Sequence, residues 1–466
     1  MTNQQVMGLN GETSDKALLD TFDCSHPIPP DSTKYFEYLQ SRGVTHFKVP
    51  LSWAQLLPSG LPSQPQQAVV NCYQTLMKQL HQVGLEPLVI LHGSTVPDSL
   101  RSRQLYHYGT FPQDFSWGIS SSAYQIEGGW NADGKGPSVW DEFTHTPGNI
   151  PADPNGDVAC DSYNRLDEDL YMLRALRVKS YRFSLSWSRI FPDGTRSSLN
   201  QKGVDYYNRL INGLLANKIT PMVTIYHWDL PQALQDLGGW ENVDMIDIFN
   251  DYCDFCFDTF GDRVKFWLTI NQPHSIAWLG YGLGTIPPKI KNPGTAPYIV
   301  AHNLIKAHAK AYHTYDDKYR SVQGGLVSIA LSADWIEPKD ANVLREVRAA
   351  DRALQFQLGW FAHPIFKNGD YPDAMKWQVA NKSDLQDLSE SRLPSFTEEE
   401  KNNISGTADM FCINHYTTKI SSHVTGQAVA WGLRRLLNWI KEEYGDPQIY
   451  VTENGWQKEH HTAMAQ

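Results

Sequence analysis

The sequence of 466 residues has no long apolar run and no excess of positive charge. A membrane-spanning helix needs roughly 18 or more consecutive apolar residues, and no stretch approaches that length. Acidic residues outnumber basic ones by 51 to 40, which gives a formal net charge of −11, and no basic cluster offsets it. Nucleic acid is therefore not an expected partner, because its phosphates bind basic surfaces.

Cysteine is also scarce, with six residues at positions 24, 72, 160, 253, 256 and 412. Cys253 and Cys256 form a single C-x-x-C pair in a predicted helix, whereas a zinc site of this type needs a second pair. We therefore predict no metal and no other cofactor. The first eight residues contain no apolar run, so no signal peptide is expected, and the residues alone leave the compartment open.

Aromatic residues, in contrast, are plentiful, with 15 Trp and 22 Tyr. Their flat apolar rings suit sugar-binding clefts, although large cores use aromatic side chains as well. The hydrophobic content of 41% and the charged content of 20% are ordinary for a globular protein. The composition thus permits a carbohydrate site without establishing one.

Strands and helices alternate from residue 111 onward. Strands are predicted at 115–119, 180–185, 222–226, 264–269, 326–330, 410–413 and 448–451, and helices near 165–177, 203–216, 243–260, 298–319, 342–361 and 431–444. This alternation predicts the α/β class, with a parallel sheet covered by helices. Seven strands are one short of the (β/α)8 TIM barrel, to which we assign residues 111–466.

Residues 1–110 combine a polar leader with a partial copy of the same pattern. A strand–helix–strand unit at 45–91 matches the barrel at a constant spacing of 134 residues, in the pairs Lys48/Arg182, Trp53/Trp187, Tyr73/Tyr207 and Pro87/Pro221. Such a register without gaps indicates an internal duplication. The later copy ends in His227-Trp228 and the earlier one in Gly93-Ser94, so we predict that the first copy is structural.

Residues 448–455 combine β-forming side chains with the turn residues Asn454-Gly455. This pattern places Glu453 at the carboxyl end of a strand, where barrel enzymes keep their reactive groups. A solvated glutamate beside a turn fits the stretch equally well. A second strand ends at residues 271–273, Asn-Gln-Pro, which adds another candidate position.

Residues 111–118 (FPQDFSWG) resemble the N-terminal signature of glycoside hydrolase family 1. Six shorter motifs continue the resemblance in the family's order: 122–128 (SAYQIEG), 181–184 (YRFS), 226–231 (YHWDLP), 269–273 (TINQP), 414–416 (NHY) and 452–455 (TENG). The repeated unit is similar to a member of that family with several modules in tandem.

The resemblance implies retaining hydrolysis of β-linked glycosides or disaccharides by two carboxyl groups, about 5–5.5 Å apart in such enzymes. It makes Glu453 the nucleophile, which Arg182 and Tyr416 would hold ionised and aimed. Four further residues would contact the sugar: Gln125, His227, Trp228 and Asn271. Taken singly, these side chains have structural alternatives, namely a barrel ion pair, core packing and a loop anchor.

The chain departs from the family pattern at the acid/base position, where Gln272 replaces the usual glutamate. An amide cannot protonate a leaving oxygen or deprotonate water, and such help is typically worth about 10²–10⁴-fold in rate. Plant thioglucosidases of the same family also carry Gln at this position, because their leaving group departs without protonation. The family therefore offers one active precedent.

Two further departures concern length. Only 14 residues separate Tyr416 from Trp431, so part of the wall around the leaving group is expected to be missing. The sequence ends 11 residues after Gly455, so we expect the barrel to lack its last strand and helix. Residues 87–91 could fill the eighth strand position.

The leading interpretation is a retaining β-glycosidase module of the β-glucosidase, β-galactosidase or lactase type, weak or inactive because of Gln272. The alternative is a non-catalytic folding or binding module within a tandem glycosidase, and a third is a thioglucosidase. The family resemblance implies an extracellular or cell-surface location. The sugar and the oligomeric state are left open.

Overall fold

The computed structural model describes residue 24 and residues 32–57, 65–90, 111–113, 115–150, 154–421 and 432–455. The chain divides into two compact units, Met1–Phe111 and Pro112–Gln466. The predictions that concern the leader before residue 24, Gly93-Ser94, the segment before Trp431 and the residues after Gly455 fall outside the described residues.

The described residues of the first unit form two parallel strands and three helices, in the order Ser32–Ser41, β1 (His46–Pro50), Trp53–Leu56, Gln67–Gln82 and β2 (Glu86–Ile90). The helix Gln67–Gln82 buries Tyr73, Leu76 and Leu80, whose spacing of three and four residues places them on one face. A disulfide joins Cys24 to Cys72, a pairing that the cysteine spacing did not reveal.

The elements of this unit recur in the second unit with the same spacing of 134 residues. The strand Ser180–Ser184 and the helices Trp187–Ile190 and Gln201–Ala216 have the bounds that this spacing gives from β1 and the two helices after it. One hydrogen bond recurs as well. The backbone N–H of Ser52 donates to the Tyr73 hydroxyl at 3.0 Å, and the N–H of Ser186 donates to the Tyr207 hydroxyl at 2.7 Å.

The second unit is organised around seven parallel strands. In chain order they are β3 (Gly118–Ser120), β4 (Ser180–Ser184), β5 (Thr220–Tyr226), β6 (Phe266–Asn271), β7 (Leu326–Ser332), β9 (Phe411–His415) and β11 (Ile449–Asn454), and each pairs with the next in this order. A separate parallel pair joins β8 (Trp335–Pro338) to β10 (Thr418–Ser421). The α/β prediction with a parallel barrel sheet is confirmed.

For residues 87–90, which the structure describes, the expectation of an eighth barrel strand is wrong. The strand β2 pairs with β1, from His46 opposite Glu86 to Pro50 opposite Ile90, in a sheet separate from the seven strands. Its sequence carries the strand signal, but a sequence pattern does not specify which neighbour a strand will pair with.

Helices follow the barrel strands. They are Ala123–Ile126, Val139–His145, Leu166–Leu176, Trp187–Ile190, Gln201–Ala216, Gln232–Asp236, Met245–Phe260, Pro273–Ser275, Ala296–Tyr315, Ser321–Gln323, Leu344–Leu354, Trp360–His363, Asp373–Asp384, Glu398–Ile404 and Gly432–Tyr444. Short 3₁₀ turns lie at Ala132–Gly134, Arg196–Ser198 and Gly239–Glu241, and π-helical turns at Ile276–Leu283, Asp316–Arg320, Gln355–Gly359 and Pro364–Asn368. None of the helices in the described parts of the chain has the length and apolarity that crossing a bilayer requires.

Many of the aromatic residues form the core that holds the strands in place. Trp187 stacks on Tyr252 with ring centroids 4.5 Å apart and an angle of 5° between the planes, and both rings are fully buried. The helix Met245–Phe260 also buries Cys253 and Cys256, so the C-x-x-C pair belongs to this packing.

The shared tyrosine contact yields a stability prediction. Tyr207→Phe should destabilise the folded protein by ~1–3 kcal/mol, because the buried N–H of Ser186 loses its acceptor and the Glu127 carboxylate, 2.6 Å away, loses a donor. Chemical denaturation of the full chain measures this difference.

Tyr206→Phe is the matched control, because Tyr206 lies beside Tyr207 and is equally buried. Its hydroxyl has no hydrogen bond to any described residue. Equal stability of the two variants would contradict the assigned role of the Tyr207 hydroxyl.

Candidate active site

The carboxyl ends of the parallel strands bring most of the predicted site residues together. The predicted residues there are Arg182 on β4, His227 after β5, Asn271 on β6 and Glu453 on β11, and Asn414 on β9 joins them. Two local irregularities lie here, because the register shifts between Leu268 and Asn271 on β6 and between Val451 and Glu453 on β11. Such bulges redirect side chains at the rims of barrels.

Glu453 is held by an arginine and a tyrosine. Arg182 Nη1 lies 2.7 Å from Glu453 Oε1, and the Tyr416 hydroxyl donates to Oε2. Burial opposes ionisation, but the charge of Arg182 and the two hydrogen bonds outweigh it and keep the pKa of Glu453 below its usual value. Glu453 is therefore an ionised carboxylate at neutral pH.

Arg182 is itself fixed by neighbouring strands. Its Nε donates to Thr224 Oγ1 at 3.0 Å and its Nη2 donates to Asn271 Oδ1 at 2.7 Å. The side chain is only 4% exposed. The guanidinium thus joins four strands, β4, β5, β6 and β11, and its donors leave little freedom for Glu453 to rotate.

The Asn271 amide determines which ring nitrogen of His227 carries the proton. Asn271 Oδ1 accepts from Arg182 and from Asn414 Nδ2 at 3.0 Å, so its Nδ2 faces His227 Nε2 at 2.9 Å. Loss of solvent lowers the pKa of His227 to about 3, so the ring is neutral. Nε2 must then be the acceptor and Nδ1 must carry the proton. Nδ1 has no hydrogen-bond partner among the described residues.

Trp228 and Gln272 adopt left-handed backbone conformations, with φ of +75° and +47°. Such conformations are strained for large side chains and cluster at functional sites. The Trp228 indole N–H donates to the carbonyl of Asn271 at 2.8 Å, which connects the loops after β5 and β6. The indole ring is partly exposed.

Gln272 faces the same tyrosine as Glu453. Its Nε2 lies 3.5 Å from the Tyr416 hydroxyl, and Ser275 Oγ donates to its Oε1 at 3.4 Å. A single phenol oxygen therefore separates the amide from the carboxylate. Gln272 is 7% exposed, and its uncharged amide can donate and accept hydrogen bonds but cannot act as an acid or a base near neutral pH.

Gln125 is the one predicted site residue that stands apart. It is exposed on the helix Ala123–Ile126, and its Oε1 accepts from Ser122 Oγ at 2.6 Å. Among the described residues no contact joins it to Glu453 or Arg182.

Three contacting residues were missed by the sequence argument. Asn414, Thr224 and Thr452 bind one another or Arg182, and Thr452 Oγ1 donates to Asn414 Oδ1 at 2.7 Å. Strand alternation could have found Asn414, because it lies two residues before Tyr416. In the described parts of the chain no group of three or more His, Cys, Asp or Glu side chains is arranged to hold a metal ion.

Fold and site together define a parallel barrel protein with an ionised, arginine-bound carboxylate at its strand ends. The chain belongs to glycosyl hydrolase family 1, whose family model matches residues 30–104, 107–429 and 421–465.

Among curated relatives, human lactase/phlorizin hydrolase is 62% identical over 381 residues, which cover 76% of this chain and 20% of that protein. The rat protein is 60% identical, and its match also covers 76% of this chain and 20% of that protein. Human cytosolic beta-glucosidase is 48% identical over 374 residues, which cover 74% of this chain and 80% of that one. The chain thus spans about a fifth of the length of the lactase/phlorizin hydrolases.

Solved structures agree with this membership. Aphid myrosinase matches with a TM-score of 0.71 and 42% identity, over 74% of this chain and 80% of that one. A Glu-to-Gln mutant of a rice beta-glucosidase, solved in a covalent complex with Glc, matches with a TM-score of 0.69 and 41% identity over the same shares.

The lowered pKa of Glu453 yields a prediction for stability against pH. Its ionised form stabilises the fold above the unfolded pKa of about 4.3, and this contribution is lost as pH falls through the lower, folded pKa. Glu453→Gln should therefore melt at a lower temperature than wild type at pH 7, and the gap should close below about pH 4. Thermal melts followed by circular dichroism measure it.

The control is Glu390→Gln, because Glu390 is exposed. A gap for Glu453→Gln that is the same at pH 7 and at low pH, or that matches the control, would contradict the stabilising role of the ionised carboxylate.

Proposed function

We propose that the barrel unit is a retaining β-glycoside hydrolase module of the β-glucosidase or lactase type. Its turnover of ordinary O-glycosides is weak or absent, because Gln272 occupies the acid/base position. The observation that carries the proposal is the ionised Glu453, which Arg182 and Tyr416 hold at the strand ends.

The chemistry divides into two steps. In the first, a Glu453 oxygen attacks the anomeric carbon, and the bond from that carbon to the leaving oxygen breaks, so that the leaving group takes both electrons. An alkoxide needs a proton at this point, and Gln272 cannot supply it. In the second step water must lose a proton as it attacks, and Gln272 cannot accept it. The covalent glycosyl-enzyme should therefore form only with good leaving groups and should persist.

The sugar site would use polar groups around Glu453. His227 offers an Nδ1–H donor with no partner among the described residues, and the partly exposed Trp228 ring can pack on a sugar face. Gln125 and Asn271 complete the proposed set by family resemblance. A covalent complex with Glc in a Glu-to-Gln mutant of a rice relative supports a substrate of the β-glucoside class.

The alternative is a non-catalytic folding or binding module of a tandem glycosidase. Gln272 favours it, because the residue removes acid–base chemistry while the pocket residues are present. The first unit fits this alternative too, since we propose that residues 1–110 are a partial family repeat; the family match to residues 30–104 supports this. Thioglucoside hydrolysis is a third possibility, because a thiolate leaves without protonation.

We further propose an extracellular or cell-surface location. The disulfide between Cys24 and Cys72 supports it, because such bonds persist in oxidising compartments.

Covalent labelling tests the nucleophile separately from the missing acid. The full chain incubated with 2,4-dinitrophenyl 2-deoxy-2-fluoro-β-glucoside should gain one sugar, mapped to Glu453, because dinitrophenolate leaves without a proton. Intact-mass spectrometry and peptide mapping give the result. Folded wild-type protein that gains no mass would leave the non-catalytic module as the better interpretation, and Glu453→Gln is the negative control.

Gln272→Glu tests the missing acid directly. Restoring the carboxyl group should raise steady-state hydrolysis of 4-nitrophenyl or alkyl β-glucosides by about 10²–10⁴-fold. Turnover of a thioglucoside by wild type, without turnover of the matching O-glucoside, would instead support the thioglucosidase alternative. A labelled protein that gains no hydrolysis from Gln272→Glu would show that position 272 is not the only defect.

A further inference from the structure

A cavity in the barrel unit is lined by the Tyr124 phenol and by five acidic or basic side chains that the proposed chemistry does not use. The five are Glu127, Lys135, Asp141, Arg189 and Asp229. Each of these five side chains is at least nine-tenths buried. Buried charges require partners, so the pairing of these five decides the charge of the cavity.

Four of the five form two ion pairs. Arg189 Nε lies 2.8 Å from Glu127 Oε2, and Lys135 Nζ lies 2.7 Å from Asp141 Oδ2. Asp141 also accepts from the N–H and the hydroxyl of Ser138, at 2.7 and 2.8 Å. Each ion pair is electrically neutral, so neither pair can neutralise a further buried carboxylate.

Asp229 is the fifth group and has no cation of its own. It is 2% exposed, and its Oδ1 has no hydrogen-bond partner among the described residues. No ion pair joins this carboxyl group to a cation in the described parts of the chain. If ionised, the carboxylate would be a buried, uncompensated charge beside two pairs that are already neutral. A group in that position binds a proton instead.

The position of Asp229 in the chain connects this cavity to the proposed sugar site. Asp229 follows Trp228, whose φ is +75°, and Trp228 follows His227. His227 contacts Asn271 at the strand ends, whereas Asp229 lines the cavity. The strained Trp228 therefore lies between a residue that contacts the site and a residue whose buried carboxyl group lines the cavity.

We propose that Asp229 is a neutral carboxylic acid in the folded protein and is a positioning residue for the His227-Trp228 turn. The turn holds its geometry only while this proton is bound. The positioning part rests on the proposed glycosidase function, whereas the protonation part does not.

The electrostatics agree with the geometry. Burial raises the pKa of Asp229 well above its usual value, the charges of Glu127 and Asp141 add to the rise, and Lys135 opposes it. A folded pKa above the unfolded value of about 3.9 means that both states hold the proton below that pH. As pH rises from there toward the folded pKa, only the unfolded state releases the proton, so stability is lost.

Asp229→Asn is the decisive variant, because it copies the shape of the neutral acid. Thermal melts of the full chain should show equal melting temperatures for Asp229→Asn and wild type near pH 4. At neutral pH the melting temperature of Asp229→Asn should exceed that of wild type by about 2 °C or more, and this difference should persist to pH 9. Asp251→Asn is the matched control, because this carboxyl group is exposed on the helix Met245–Phe260, and it should follow wild type throughout.

Several outcomes would overturn the protonation part. A variant that is less stable than wild type at neutral pH, or that does not fold, would mean that Asp229 is ionised and paired. Equal stability at every pH would mean that its pKa is unshifted. A wild-type melting temperature that rises with potassium chloride at pH 8, with no such rise in Asp229→Asn, would assign the compensating charge to a bound metal cation.

The positioning part is read from the pH profile of labelling by the fluoroglucoside. At alkaline pH, wild type should bind the reagent more weakly. The reagent concentration that gives half-maximal labelling should rise tenfold or more. Asp229→Asn should keep its low-pH value, with the maximal labelling rate within about twofold of wild type. Identical profiles would overturn positioning while leaving the melts to decide protonation. Absence of labelling in wild type would remove the function and the positioning claim together.

Discussion

The ion pair between Arg182 and Glu453 is the interaction on which the rest of the site depends. A buried pair is favourable only when its remaining donors and acceptors are also satisfied. Arg182 meets that requirement by donating to Thr224 and Asn271 on two further strands. The second contact orients the Asn271 amide and, through it, fixes which nitrogen of His227 carries the proton. One guanidinium thus sets the geometry of four strands.

The same rim carries backbone strain that neighbouring contacts must support. Trp228 and Gln272 both adopt positive φ, and each lies directly after a residue of the hydrogen-bonded network. Conformations of this kind persist only where several contacts from the surrounding structure hold them in place. The Trp228 indole N–H, which donates to the carbonyl of Asn271, contributes to that support because it ties the two strained loops together.

The fold was predictable from the sequence because its signals are local. Strand and helix periods, and the motif order that ends at Glu453, specify the barrel without knowledge of any long-range contact. The pairing of β2 with β1, the Cys24–Cys72 bond and the role of Asn414 were not predictable in this way. Each depends on which distant segments meet, and a pattern along the chain carries little information about that. The unpaired state of Asp229 belongs to the same class, since it concerns contacts that are not made.

The two copies of the repeated unit share a scaffold contact but differ in their charged side chains. Tyr73 keeps the hydrogen bond of its counterpart Tyr207, so the scaffold contact is common to both units. The arginines are not: the sequence has Lys48 and Gln55 where the barrel has Arg182 and Arg189, and the Gln55 carbonyl oxygen is buried without a partner among the described residues. A guanidinium can satisfy several acceptors at once, and the two-stranded sheet described in the first unit offers fewer neighbouring strands to supply them. The residues Lys48 and Gln55 at these positions are consistent with that difference.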